Sequence, residues 1–155
     1  MTISEMMQSL ITIADLHADR LKKAMEHIAH LVPFQPTTVQ NFSDNELSYV
    51  DMMTSRFTKL QDILGSKIFP LFLQCLQESK DGESFLDRLH KLEKLGILPS
   101  SKEWVAMREL RNHFTHEYPD NPGLMASNLN KAVESAHYLI AFWNKFKDEI
   151  FTRLQ

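Results

Sequence analysis

The sequence predicts an all-α fold, an up-and-down bundle of four to five helices in one domain over residues 1–155. Three observations predict it. Only 4 of the 155 residues are Gly, too few for a turn-rich β fold. Apolar residues recur at intervals of three and four, the spacing that keeps them on one helix face. No GxGxxG or Walker sequence is present, which removes the glycine-rich phosphate cradles of nucleotide-binding α/β folds. With 43% hydrophobic and 24% charged residues, the chain is long enough to bury a core.

The first helix is expected from about Ser4 to His30, with Leu10, Ala14, His17, Leu21, Ala24, Ile28 and Leu31 on one stripe. Pro33 and Pro36 end it, and the polar stretch to Asn41 reads as a loop. Ser43 and Glu46 have capping-box spacing and open a second long helix. Its stripe of Val50, Met53, Phe57, Leu60 and Leu64 continues through Ile68, Leu71 and Cys75. Gly65 and Pro70 predict a kink in it rather than a break. Phe85, Leu89 and Leu92 mark a short third helix that Gly96 closes. Ser100 and Glu103 repeat the capping-box spacing and open a fourth helix through Trp104, Met107, Leu110 and Phe114, which Pro119 stops at or before Tyr118. A last helix runs from about Gly123 to Leu154, with Leu129, Val133, Ala136, Ile140, Trp143 and Ile150 on one stripe and Leu139, Phe142 and Phe146 beside it. An arc that wide fits a helix central in the bundle, shared with a second subunit, or both.

Lys and Arg number 17 against 20 Asp and Glu, a net charge of −3 that argues against a general polyanion binder while leaving room for a local nucleic-acid site. No run approaches the roughly 18 to 20 apolar residues of a membrane span, so no membrane partner is expected. The first thirty residues lack the basic start and apolar stretch of a leader peptide. The one cysteine, Cys75, lies in an apolar stretch that suits a buried thiol, and a reducing, cytoplasmic setting fits.

The most unusual local feature runs from Arg108 to Tyr118, where Arg108, Arg111, Asn112, His113, His116 and Tyr118 gather at a helix end. Such groups at a helix end are either solvent-facing turn formers or a reaction site. On an ideal helix Arg111 and His116 stand about 140° apart and Asn112 and His116 about 40°. The arginine and histidine therefore converge best if the helix loosens near Thr115 or if two chains contribute. A histidine exchanges a proton near neutrality, and a guanidinium holds two phosphate oxygens and transition-state charge. Together they suit phosphodiester cleavage without metal or other cofactor. In RNA the 2′-hydroxyl is the built-in nucleophile and leaves a 2′,3′-cyclic phosphate; DNA lacks that hydroxyl.

The stretch from Arg111 to Tyr118 resembles the R-x4-H-x-Y signature of HEPN domains of the HepT toxin type. Residues 84–118 also resemble that family's passage from a short helix through a Leu95-Gly96-Ile97-Leu98 turn into the motif helix. The resemblance implies a homodimer in which the two motifs face each other across a cleft, and a metal-independent endoribonuclease. Carried over, Arg111 stabilises the phosphoryl transition state, His116 acts as acid or base, and Asn112 orients the phosphate or the histidine; Arg108, one turn before Arg111, is a further candidate for binding substrate. Tyr118 matches the tyrosine that a partner nucleotidyltransferase antitoxin modifies with AMP. RNA, a second copy and that antitoxin are the partners implied, in a bacterial toxin-antitoxin or defence pair. Similar proteins also serve as noncatalytic subunits that bind nucleotide or substrate beside a nucleotidyltransferase, and this is the alternative.

Glu134-x-x-His137 and Asp87-x-x-His90 have the spacing of di-iron bundles, but the first two helices present Leu, Ala, Met and Phe where further glutamates are needed. His17 on its apolar stripe reads as a hydrogen-bonded core residue, and His27 and His30 as surface groups near a helix C-terminus. Met6, Met7, Met52 and Met53 are most simply packing residues.

Overall fold

The computed structural model of the chain describes residues 1–115 and 120–154. Among the described residues every regular element is helical, as the sequence predicts. Helix α1 (Ile3–Ile28) opens on Thr2, whose hydroxyl accepts the Glu5 N–H at 3.1 Å while the Glu5 carboxylate accepts the Thr2 N–H at 3.2 Å. Its buried face holds Met7, Ile11, Ala14, Ala18, Leu21, Ala24, Met25 and Ile28. The expected stripe shares Ala14, Leu21, Ala24 and Ile28 with this face, while Leu10, His17 and Leu31 are only half-buried. Those three positions, spaced by multiples of seven, lie along one edge of the stripe, whose other edge of Ala14, Leu21 and Ile28 faces the core.

The expected loop between Pro33 and Asn41 is corrected by a short helix, α2 (Pro36–Gln40). Pro36 starts it rather than ending anything, because a first-turn residue has no intrahelical acceptor to lose. The approach to α2 is held by the Asn130 side chain, which accepts the Phe34 N–H at 2.7 Å and donates to the Phe34 carbonyl at 3.0 Å.

Ser43 caps α3 (Asp44–Ile63) with the full reciprocal box to Glu46, at 3.0 and 2.9 Å. The helical path stays unbroken through a π-turn at Leu64–Ile68 into α4 (Phe69–Cys75). The Phe69 N–H reaches back five residues to the Leu64 carbonyl, immediately before Pro70, which has no N–H to continue the ladder. The irregularity expected from Gly65 and Pro70 thus takes the form of a widened turn.

Helix α5 (Phe85–Lys94) ends in a Schellman arrangement: Gly96, at φ +75°, donates to Glu93, and Ile97 donates to Leu92 at 2.9 Å. Helix α6 (Ser101–Asn112) starts with half of the expected box. Ser100 accepts the Glu103 N–H at 3.1 Å, and the carboxylate of Glu93 rather than that of Glu103 serves the helix start, accepting the Ser101 N–H at 2.6 Å. After Asn112 the chain tightens into a 3₁₀ turn, His113–Thr115. The last helix, α7 (Pro122–Arg153), is capped by Asn121.

Helix α1 lies along α3, and α7 packs against α1, α2, α3 and α6. The broad apolar arc of α7 therefore meets several helices of its own chain. Around the π-turn, Phe69 sits 4.9 Å from Trp104 and 5.5 Å from Phe146, ring centre to ring centre, which ties α4, α6 and α7 together. Asp15 on α1 accepts from Trp143 Nε1 at 2.8 Å and from Lys147 Nζ at 2.9 Å, fixing the α1–α7 packing. No helix of the described residues is long and apolar enough to cross a membrane.

Candidate functional site

Helix α6 buries Trp104, Met107 and Leu110, and this fixes its rotation about its own axis. Arg108 and Arg111, one turn apart, consequently open together on a cleft of about 210 Å³. Its other walls come from α3, the π-turn and α5, which contribute Asp62, Gly65, Phe85 and Arg88.

Within the cleft, Arg111 Nη1 donates to Asp62 Oδ1. The arginine side chain is 19% exposed and the aspartate 55%, so the pair lies at the cleft mouth with the guanidinium on the inner side. Arg108 is exposed and its guanidinium stands 4.4 Å above the Phe85 ring. Arg88 lies 5.9 Å from the same ring and donates through Nη1 to the Glu83 carbonyl at 3.3 Å. Arg88 Nε is buried without an acceptor among the described residues. Gly65 makes this closeness possible: a Cβ there would stand 3.3 Å from Phe85 Cε2, tighter than ordinary contact.

The other members of the sequence cluster are distributed differently. Asn112 is exposed and is not part of the cleft wall. His113 faces away from the arginines, lining a cavity of about 490 Å³ between α6 and α7 that also contains Glu103 and Tyr138. His116 and Tyr118 lie outside the described residues. The α-helix ends at Asn112 and passes into a 3₁₀ turn over His113–Thr115, a tightening rather than the loosening expected near Thr115.

Asp62, Phe85 and Arg88 are residues that the sequence reading missed. Asp62 is 49 positions from Arg111 and meets it only through the packing of α3 against α6. Phe85 and Arg88 carry a weak local signal, since an aromatic and an arginine three apart share a helix face. Tyr138 was also missed. Its buried hydroxyl has no partner among the described residues, and burial, followed by the charge of Glu103, raises its pKa.

The remaining candidates resolve individually. Glu134 borders the α6–α7 cavity whereas His137 borders a cavity between α1 and α7, so the pair does not converge. Asp87 is occupied in capping α5, and its hydrogen bonds from Ser84 hold its pKa low. Among the described residues no three or more His, Cys, Asp or Glu side chains gather where they could hold a metal ion. His17 is half-buried and hydrogen-bonded to Arg56 at 3.0 Å. His27 stacks on Tyr49 at 4.0 Å, and His30 pairs with Glu46 at 3.2 Å. Cys75 is half-buried, and burial raises its thiol pKa.

Comparison with known proteins yields no match, whether to protein-family models, to curated proteins or to solved structures.

Proposed function

We propose that the chain is a HEPN-type, metal-independent endoribonuclease, with Arg111 and His116 as its reacting pair, working in a cleft between two protomers of a bundle dimer. The observation that carries this reading is the R-x4-H-x-Y spacing from Arg111 to Tyr118, joined to the opening of Arg111 on a guanidinium-rich cleft. His116 takes the 2′-hydroxyl proton and the oxygen attacks the neighbouring phosphorus. Arg111 neutralises the charge that builds on the phosphoryl oxygens, Asn112 orients the phosphate, and the 5′-oxygen leaves with the proton that the protonated His116 returns, to give a 2′,3′-cyclic end. In this reading the protein is the toxin of a bacterial pair in the cytoplasm, silenced when a nucleotidyltransferase antitoxin transfers AMP to Tyr118.

The ion pair between Arg111 and Asp62 favours a second reading. A guanidinium already neutralised by a carboxylate has less charge to give a transition state, which suits a noncatalytic HEPN subunit that binds nucleotide or substrate for a nucleotidyltransferase. Incubating the purified protein with a mixed RNA pool and a matching DNA pool in EDTA separates the two. The ribonuclease reading expects RNA cut to 2′,3′-cyclic ends and intact DNA. Intact RNA from folded, unmodified protein would contradict it and leave the noncatalytic subunit.

A further inference from the structure

Three guanidinium groups, from Arg88, Arg108 and Arg111, share one cleft with one facing carboxylate, Asp62, in a chain whose net charge is −3. Asp62 is spent on Arg111. Among the described residues neither Arg88 nor Arg108 forms an ion pair; the nearby Glu83 carboxylate, which feels the charge of Arg88, is itself paired with Lys91 at 2.7 Å. Like charges gathered at close range repel, and their cost is offset when an anion completes the cluster. The buried Arg88 Nε is a donor still without an acceptor. On the cleft wall, Gln61 is 2% exposed, and its Oε1 is an acceptor without a donor. A ligand that matches all of these brings anionic oxygens together with a hydroxyl. A ribonucleotide unit has both, its phosphate for the guanidiniums and its ribose hydroxyl for Gln61. At about 210 Å³ the cleft suits one such unit and not a folded RNA element.

We infer that Arg88 and Arg108, held against Phe85, form a subsite for a backbone phosphate of single-stranded RNA next to the one that Arg111 engages. This rests on the ribonuclease reading for the identity of the strand, but its binding can be tested apart from cleavage. Arg108 is stacked on Phe85 by the space at Gly65, and Arg88 is anchored through the Glu83 carbonyl, so both forks are positioned before the strand arrives.

The test is fluorescence anisotropy of a labelled single-stranded RNA over a potassium chloride series. The His116→Ala protein is compared with the same protein carrying Arg88→Gln or Arg108→Gln, each checked for folding by circular dichroism. Because Arg108 is exposed, its variant keeps the test open if Arg88→Gln fails to fold. Each substitution is expected to weaken binding about tenfold. Each should also lower the slope of log affinity against log salt by about 0.7, the share of one single-strand phosphate. Unchanged affinity and slope in folded variants, or no binding by the parent, would overturn the subsite. Cleavage by the wild-type protein is scored in parallel: lost binding in the variants without wild-type cleavage keeps the subsite and removes the ribonuclease, and the reverse pattern does the opposite.

Discussion

His17 on α1 and Arg56 on α3 meet at 3.0 Å, the imidazole nitrogen accepting from the guanidinium. Burial first, then the charges of Arg56, Lys59 and Arg20, hold the His17 pKa below 6.5. The unfolded chain therefore binds the His17 proton more readily than the folded one. The stability this contributes is present above about pH 6.5 and is lost as pH falls below it. Carboxylates such as Glu46 and Asp87, whose pKa values are lowered by capping hydrogen bonds, act only in a more acidic window. Melting temperatures between pH 7.5 and 5.5 should thus fall more steeply for the wild type than for His17→Gln, and equal slopes would contradict the assignment. The same residue marks a limit of sequence reading. That His17 would be hydrogen-bonded was legible from a lone polar group on an apolar stripe; that its partner would be a cation was not, because α3 supplies it from 39 positions away. Arg108 and Arg111 stood out in the sequence for their density on one short helix, whereas Asp62 and Arg88 look like ordinary surface charges until three helices bring them together.

Element boundaries were legible wherever one local interaction sets them. The Ser43–Glu46 box and the Gly96 terminus both form as their residues dictate. Gly96 is a sharp case, since at φ +75° an added Cβ would meet no atom within 4 Å, leaving backbone strain as the main cost. Gly96→Ala should destabilise the fold by about 1–2 kcal/mol. Urea unfolding is expected to show this as a lower midpoint with an unchanged m-value, and a midpoint equal to the wild type would refute it. Helix α2 was missed because proline has two meanings, a stop inside a helix and a start at its first position, and only the docking of Phe34 on Asn130 decides between them here. The Ser100 box was half legible. Its serine cap is local, but the carboxylate that accepts the first helical N–H, that of Glu93 on Ser101, belongs to the preceding helix.

At the scale of the molecule, the core and the cleft are built by the same contacts. Trp104 and Phe69 pack α6 on the start of α4, and Gly65 within the preceding π-turn leaves room for Phe85, on which Arg108 rests. The all-α class follows from residue spacing and composition, but the packing of α7 against its neighbouring helices depends on how their faces fit, which spacing does not encode. The dimer proposed for the reacting pair belongs to this scale as well. Sedimentation should show a two-chain species that persists on dilution to the concentration at which cleavage is assayed; a monomer that still cleaves would contradict a site shared between protomers. The central claim is that Arg111 and His116 together cleave RNA. Its most direct test is the rate of RNA cleavage in EDTA by wild type, Arg111→Ala and His116→Ala, with melting curves for all three. The account predicts a loss of at least about 100-fold in each variant, with helical content and folding retained. Equal cleavage by all three proteins, or none by the folded wild type, would contradict it.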